Sequence, residues 1–131
     1  MIGGYILDAT AIRQLAHGNP YMVARVFYAV ESVQALYVPT TALAAGLVGF
    51  DLSATRREQV EQALNAPAFT IHDLDRSAAL AVAEIATMAQ VDIATAHVAH
   101  IALRRPGLPV LTTQPAELHK ANPTIETEEL P

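Results

Sequence analysis

The feature that most restricts this chain is the alternation of short apolar runs with helix-like segments. The runs are GYILD (4–8), ALYVPT (35–40), AFTIHD (68–73), LPVLTT (108–113) and PTIETEEL (123–130). Between them Ala, Leu, Val and Ile recur at a helical period, and no two runs are joined by a short hairpin turn. Strands without hairpins need crossover connections, so they run parallel. The order βαα, βαα, βαα, βα, β predicts an α/β fold, a three-layer sandwich over residues 1–131 as one domain. Its centre is a mainly parallel sheet of about five strands with helices on both faces.

Local chemistry marks the helix boundaries. HGNP (17–20) stops a helix over Thr10–Ala16 and restarts one over Tyr21–Val33. Gly46 and Gly49 let the helix after Pro39 break early. Thr55 and Glu58 stand at capping-box spacing for a helix that stops at Pro67. Asp75 and Asp92 precede two Ala-rich helices, and Arg104, Arg105 and Gly107 suit the end of the second. A short helix over QPAELHKA (114–121) leads to the last run, whose acidic fringe suits a sheet edge.

The composition, 52% hydrophobic and 16% charged, supplies a core and excludes disorder. The absence of cysteine excludes disulfides and thiolate metal sites and fits a reducing compartment. No secretory signal is expected, so the predicted location is the cytoplasm. The most hydrophobic stretch, Ser77–Leu103, carries Glu84, Asp92, His97 and His100, and reads as two amphipathic helices rather than a membrane span. A net charge of −5 argues against a broad phosphate-gripping face, although an acidic metal-dependent nuclease site is compatible with it.

In parallel sheets chemistry collects at the C-terminal strand ends, where Asp8, Thr40, Asp73 and Thr112 are expected. The segments around these ends resemble the PIN domain family. YILDATAI (5–12) resembles its opening, a strand ending in Asp8 with Thr10 two residues on. LYVPTTALAAGL (36–47) is similar to the second segment, DIATAHVAHIAL (92–103) to the third and PVLTTQPAEL (109–118) to the last. The ordered set covers nearly the whole chain and looks most like the small bacterial VapC-type group. That resemblance implies a Mg²⁺- or Mn²⁺-dependent ribonuclease, often the toxin of a toxin–antitoxin pair. It also implies a homodimer and an antitoxin-like protein partner. In such a site carboxylates hold a hard cation that positions a water on a phosphodiester.

The acid set implied by the resemblance is depleted here. Asp8 stands in place, but Ala45, Thr95 and Gln114 occupy the other three carboxylate positions. Asp92 is the best substitute, three residues before Thr95 and displaced by about 5 Å along the helix. Its other reading is an N-cap. Asp75 reads as a cap and Asp73 as a solvated loop acid. Asp8 itself has two readings: metal ligand, or hydrogen-bonding organiser of the crossing loops.

His97, His100 and Arg104 share one polar stripe, opposite Ala94, Val98, Ile101 and Ala102. The stripe is expected to face solvent or a protein, because a metal there would need a third ligand. Arg56 and Arg57 oppose the dipole of their helix, which suits either a partner contact or a pair balanced by Glu58 and Glu61. Three functions follow. The first is a catalytically degenerate PIN-like protein that acts by binding a protein partner or RNA. The second is a Mg²⁺- or Mn²⁺-dependent ribonuclease using Asp8 with Asp92. The third is a binder of a small polar ligand in a pocket of Asp8, Thr10, Thr95, Thr112 and Gln114.

Overall fold

The computed structural model describes residues 3–131. Five strands, β1 (Gly4–Leu7), β2 (Ala35–Pro39), β3 (Phe69–His72), β4 (Val110–Thr112) and β5 (Thr127–Glu129), form one sheet in the order β3-β2-β1-β4-β5. Every neighbouring pair is parallel. Seven helices connect the strands: α1 (Ala9–Ala16), α2 (Pro20–Glu31), α3 (Thr40–Gly46), α4 (Ala54–Leu64), α5 (Arg76–Ala89), α6 (Ile93–Arg104) and α7 (Pro115–Ala121). The element order is the one the alternating runs predict, and the architecture is a three-layer α/β sandwich.

Strand β1 lies in the middle, with Ile6 opposite both Tyr37 of β2 and Val110 of β4. Sheet order reverses beside it: the chain leaves β1 toward β2 and β3, then returns to β4 on the other side. A crevice at such a switch point is where open α/β sheets expose backbone ends to a ligand. The inner strands are apolar because both faces are covered. Ile6, Leu7, Leu36, Val38, Val110 and Leu111 are all buried. The acidic fringe of edge strand β5 is partly neutralised, since Glu128 pairs with Arg25 of α2.

Helix α6 is the central helix of its layer. It packs on β1 and β2 and touches α3, α5 and α7. Ala94, Ala96, Val98, Ala99, Ile101 and Ala102 are buried around most of its circumference. Alanine makes this close approach possible, because its small side chain leaves room for three neighbouring helices. Helices α5 and α6 are bent by 110° relative to one another, and among the described residues no single helix is long and apolar enough to cross a membrane.

Two boundaries differ from expectation. Helix α4 is capped by Ser53, whose hydroxyl accepts the Arg56 N–H at 3.4 Å, so Thr55 lies inside the first turn and its spacing to Glu58 forms no capping box. Ser53 takes the cap because its extended backbone directs the oxygen at the free N–H groups. Helix α2 ends at Glu31, two residues before the expected Val33, which adopts a φ of 54°. That left-handed turn cannot continue a helix.

Candidate functional site

Asp8 follows the last residue of β1 and caps α1. Its Oδ1 accepts the Ala11 N–H at 3.0 Å and the Thr10 hydroxyl at 2.6 Å. The Thr10 hydroxyl in turn accepts the Thr113 N–H at 2.9 Å, which ties α1 to the loop after β4. Thr112 is fully buried beside them, and its hydroxyl accepts the Gln114 N–H at 2.8 Å. Asp8 is only 8% exposed. Burial pushes its carboxyl above the usual carboxylate range, against the opposing pull of the Thr10 and Thr112 hydroxyls and the Ala11 N–H. Asp8 and Thr10 are thus hydrogen-bonded to one another, and Gln114 is held by its backbone N–H on the Thr112 hydroxyl.

Asp92 and Thr95 meet at the start of α6. Asp92 caps α6, its Oδ1 accepting the Thr95 N–H at 2.7 Å. Asp75 caps α5 in the same way, accepting the Ala78 N–H at 2.8 Å. Ala45 lies on α3, and its carbonyl accepts a bond from Arg13 of α1 at 3.1 Å. Helices α1 and α3 approach closely at Gly46, where an added Cβ would lie 2.9 Å from the Ala9 carbonyl oxygen and 2.8 Å from an Ile12 methyl. That close approach brings the start of α1, and with it Asp8, near α3.

A hard divalent cation favours several oxygen ligands with carboxylates among them. Here Asp8 has Oδ1 engaged by Thr10 and Ala11, and Ala45, Thr95 and Gln114 offer no carboxylate. Among the described residues no group of three or more His, Asp and Glu side chains is arranged to hold a metal ion.

One member of the polar stripe of α6 departs from its expected setting. His97 is 1% exposed rather than solvent-facing, and its Nδ1 lies 2.7 Å from the Thr41 hydroxyl of α3. The physical reason is crowding. With α3 and α5 both packed on α6, His97 faces the gap between elements, while His100 is half-buried and Arg104 is exposed. His97, His100 and Arg104 line one side of a cleft of about 490 Å³. His72 and Asp73 at the end of β3 and Asp75 and Ser77 at the start of α5 line the other, with Arg105 alongside.

Burial lowers the proton affinity of all three histidines, and neighbouring groups add to it: Arg105 for His72, His100 for His97, Arg104 for His100. The periodicity of α6 puts His97, His100 and Arg104 together. The remaining members are missed by sequence reasoning, because a loop 20 or more residues away carries no periodic signal linking it to α6. The one available sign is the position of His72 and Asp73 at a strand's C-terminal end.

No protein-family model matches this sequence, and no curated protein matches it.

Proposed function

We propose that this chain is a PIN-like domain with an incomplete acid set, acting in the cytoplasm by binding a protein rather than by cleaving RNA. One observation carries the reading. Asp8, the acid that the family resemblance puts at the centre of the site, spends Oδ1 on Thr10 and Ala11 and lies buried with raised proton affinity. A carboxylate so placed organises the crossing of β1, α1 and the loop after β4, with one of its oxygens already committed to those bonds. Binding through a surface is supported by α2, where Phe27 is 66% exposed and Tyr28 and Val30 are also open to solvent, with Val33 just beyond. Apolar side chains grouped in this way suit a protein interface, either a homodimer or an antitoxin-like partner.

The test is a ribonuclease assay on the purified protein with Mg²⁺ and with Mn²⁺, wild type beside Asp8→Ala. The expected result is no metal-dependent cleavage by either. Cleavage by wild type that Asp8→Ala abolishes would overturn the reading.

A second reading, ribonuclease activity from Asp8 with Asp92, draws on one feature. Only Oδ1 of Asp92 is engaged in the α6 cap, which leaves the other carboxylate oxygen for a cation. The small polar ligand of the third reading would occupy the pocket of Asp8, Thr10, Thr95, Thr112 and Gln114, and it shares the prediction of no cleavage.

A further inference from the structure

The cleft between β3, α5 and α6 concentrates basic chemistry in an acidic protein. The chain has eight Lys and Arg residues and five His, with a net charge of −5. Two of those arginines and three of those histidines line this one cleft. The ion pairs among the described residues involve neither Arg104 nor Arg105. Arg105 rests its guanidinium 4.8 Å from the Tyr37 ring centroid, which holds the planar group in place and leaves its N–H donors free. The Nε2 of His72 is enclosed yet has no hydrogen-bond partner among the described residues. A rotation of that ring toward the cleft would supply one from a ligand.

Acceptors are fewer and lie on the loop side. Asp75 keeps one oxygen beyond its capping bond to Ala78, and Asp73 is exposed. A bare polyanion would be repelled by both. A molecule with one anionic group and several hydroxyls would satisfy both kinds of side chain: guanidinium and imidazole donors for the anion, carboxylate acceptors for the hydroxyls. A volume of about 490 Å³ suits a small molecule rather than a macromolecular segment.

We propose that this cleft binds a small hydroxyl-bearing phosphomonoester, of the sugar-phosphate class, with Arg104 and Arg105 on the phosphoryl group and Asp73 and Asp75 on the hydroxyls. A phosphoryl group has three terminal oxygens to receive two guanidiniums and an imidazole, and planar guanidinium forks match it. The histidines make binding pH-sensitive. His72 is faced by Arg105 and Asp73, His97 by His72, His100 and Asp75, and His100 by Arg104 and Asp75. An added dianion favours their protonated forms, so binding draws protons onto the histidines, while the ligand's own second ionisation at about pH 6 opposes tighter binding as pH falls.

The test is isothermal titration calorimetry of the intact chain with ribose 5-phosphate, inorganic phosphate and ribose at about pH 7.5, where both anions are mainly dianions. The expected order is ribose 5-phosphate tighter than phosphate, with ribose undetectable. Arg104→Ala with Arg105→Ala is expected to weaken both anions by about tenfold or more. Asp73→Asn is expected to weaken ribose 5-phosphate relative to phosphate, with phosphate itself bound as tightly or more tightly than by wild type. These side chains lie on the surface, and an unchanged melting temperature of the unliganded variants checks that they fold. No binding of either anion, equal binding by the double arginine variant, or binding only to a single-stranded RNA oligonucleotide would overturn the proposal.

Discussion

The Thr10 hydroxyl donates to Asp8 Oδ1 at 2.6 Å while accepting the Thr113 N–H at 2.9 Å. One side chain thus joins the end of β1, the first turn of α1 and the loop after β4. The arrangement sits at the switch point of the sheet, where connections diverge and backbone groups would otherwise lack partners.

Asp8 is predicted to be replaceable by Asn but not by Ala. Asn is as good an N-cap as Asp and its oxygen can accept the same two donors. Because burial raises the Asp8 pKa above 3.8, the folded chain holds that proton more tightly than the unfolded chain. Stability from this group therefore falls as pH rises through that window, and the ionised form carries a penalty at neutral pH. Asp8→Asn is expected to be at least as stable as wild type at pH 7, with its advantage shrinking toward pH 3.5. Asp8→Ala is expected to lose about 1–2 kcal/mol. Urea unfolding at the two pH values measures both.

His97 and Thr41 give a second prediction. The imidazole is buried and Nδ1 lies 2.7 Å from the Thr41 hydroxyl. Thr41→Val keeps the shape and leaves that nitrogen unpaired, so a loss of about 1–3 kcal/mol is expected in denaturant unfolding, with Thr41→Ser recovering most of it.

The histidine cluster sets the acid side of the stability curve. Burial holds His72, His97 and His100 below the ordinary histidine value of 6.5 in the folded chain. The folded chain then binds fewer protons than the unfolded one, so stability is fully present above about 6.5 and is lost as pH falls through the lowered values. A falling melting temperature between pH 7 and pH 5 is expected. A variant with all three histidines replaced by Gln is expected to flatten that slope. An unchanged slope in the variant would count against the cluster.

The fold was legible because its signals are local and redundant. Each inner strand is a short apolar run, five of the seven helices start on a Ser, Asn or Asp cap, and the absence of hairpins leaves parallel pairing as the consistent topology. The N-caps at Asp75 and Asp92 were legible for the same reason, since a cap involves only the next three residues. The setting of His97 was not. Helical angle groups it with Arg104 on a polar stripe, but burial depends on α3 and α5 arriving from distant sequence. The cleft was hidden for a related reason: α6 contributes half of it at helical spacing, while His72 and Asp75 arrive through the crossover after β3.

Asp92 distinguishes the two readings of the acid set. As an N-cap alone, Asp92→Asn is expected to leave stability nearly unchanged and Asp92→Ala to cost about 1 kcal/mol, identically with and without Mn²⁺. As a metal ligand it would give wild type a Mn²⁺-dependent rise in melting temperature that Asp92→Asn removes. The expected outcome is the first, read from thermal shifts across a Mn²⁺ titration.

The exposed face of α2 provides the last prediction. Phe27 and Val30 are three residues apart on one side of the helix, and Val33, 71% exposed, extends the patch past its end. If this face buries itself in a second copy, as the proposed function holds, a charge at its centre costs the interface far more than it costs the fold. Phe27→Glu with Val30→Glu is expected to shift the chain from dimer to monomer in analytical ultracentrifugation, with the melting temperature of the dilute protein little changed, since neither side chain is part of the core. A wild type that sediments as a monomer at every concentration would exclude self-association and leave a different protein as the occupant of this face. In that event the same double substitution is expected to abolish capture of that protein.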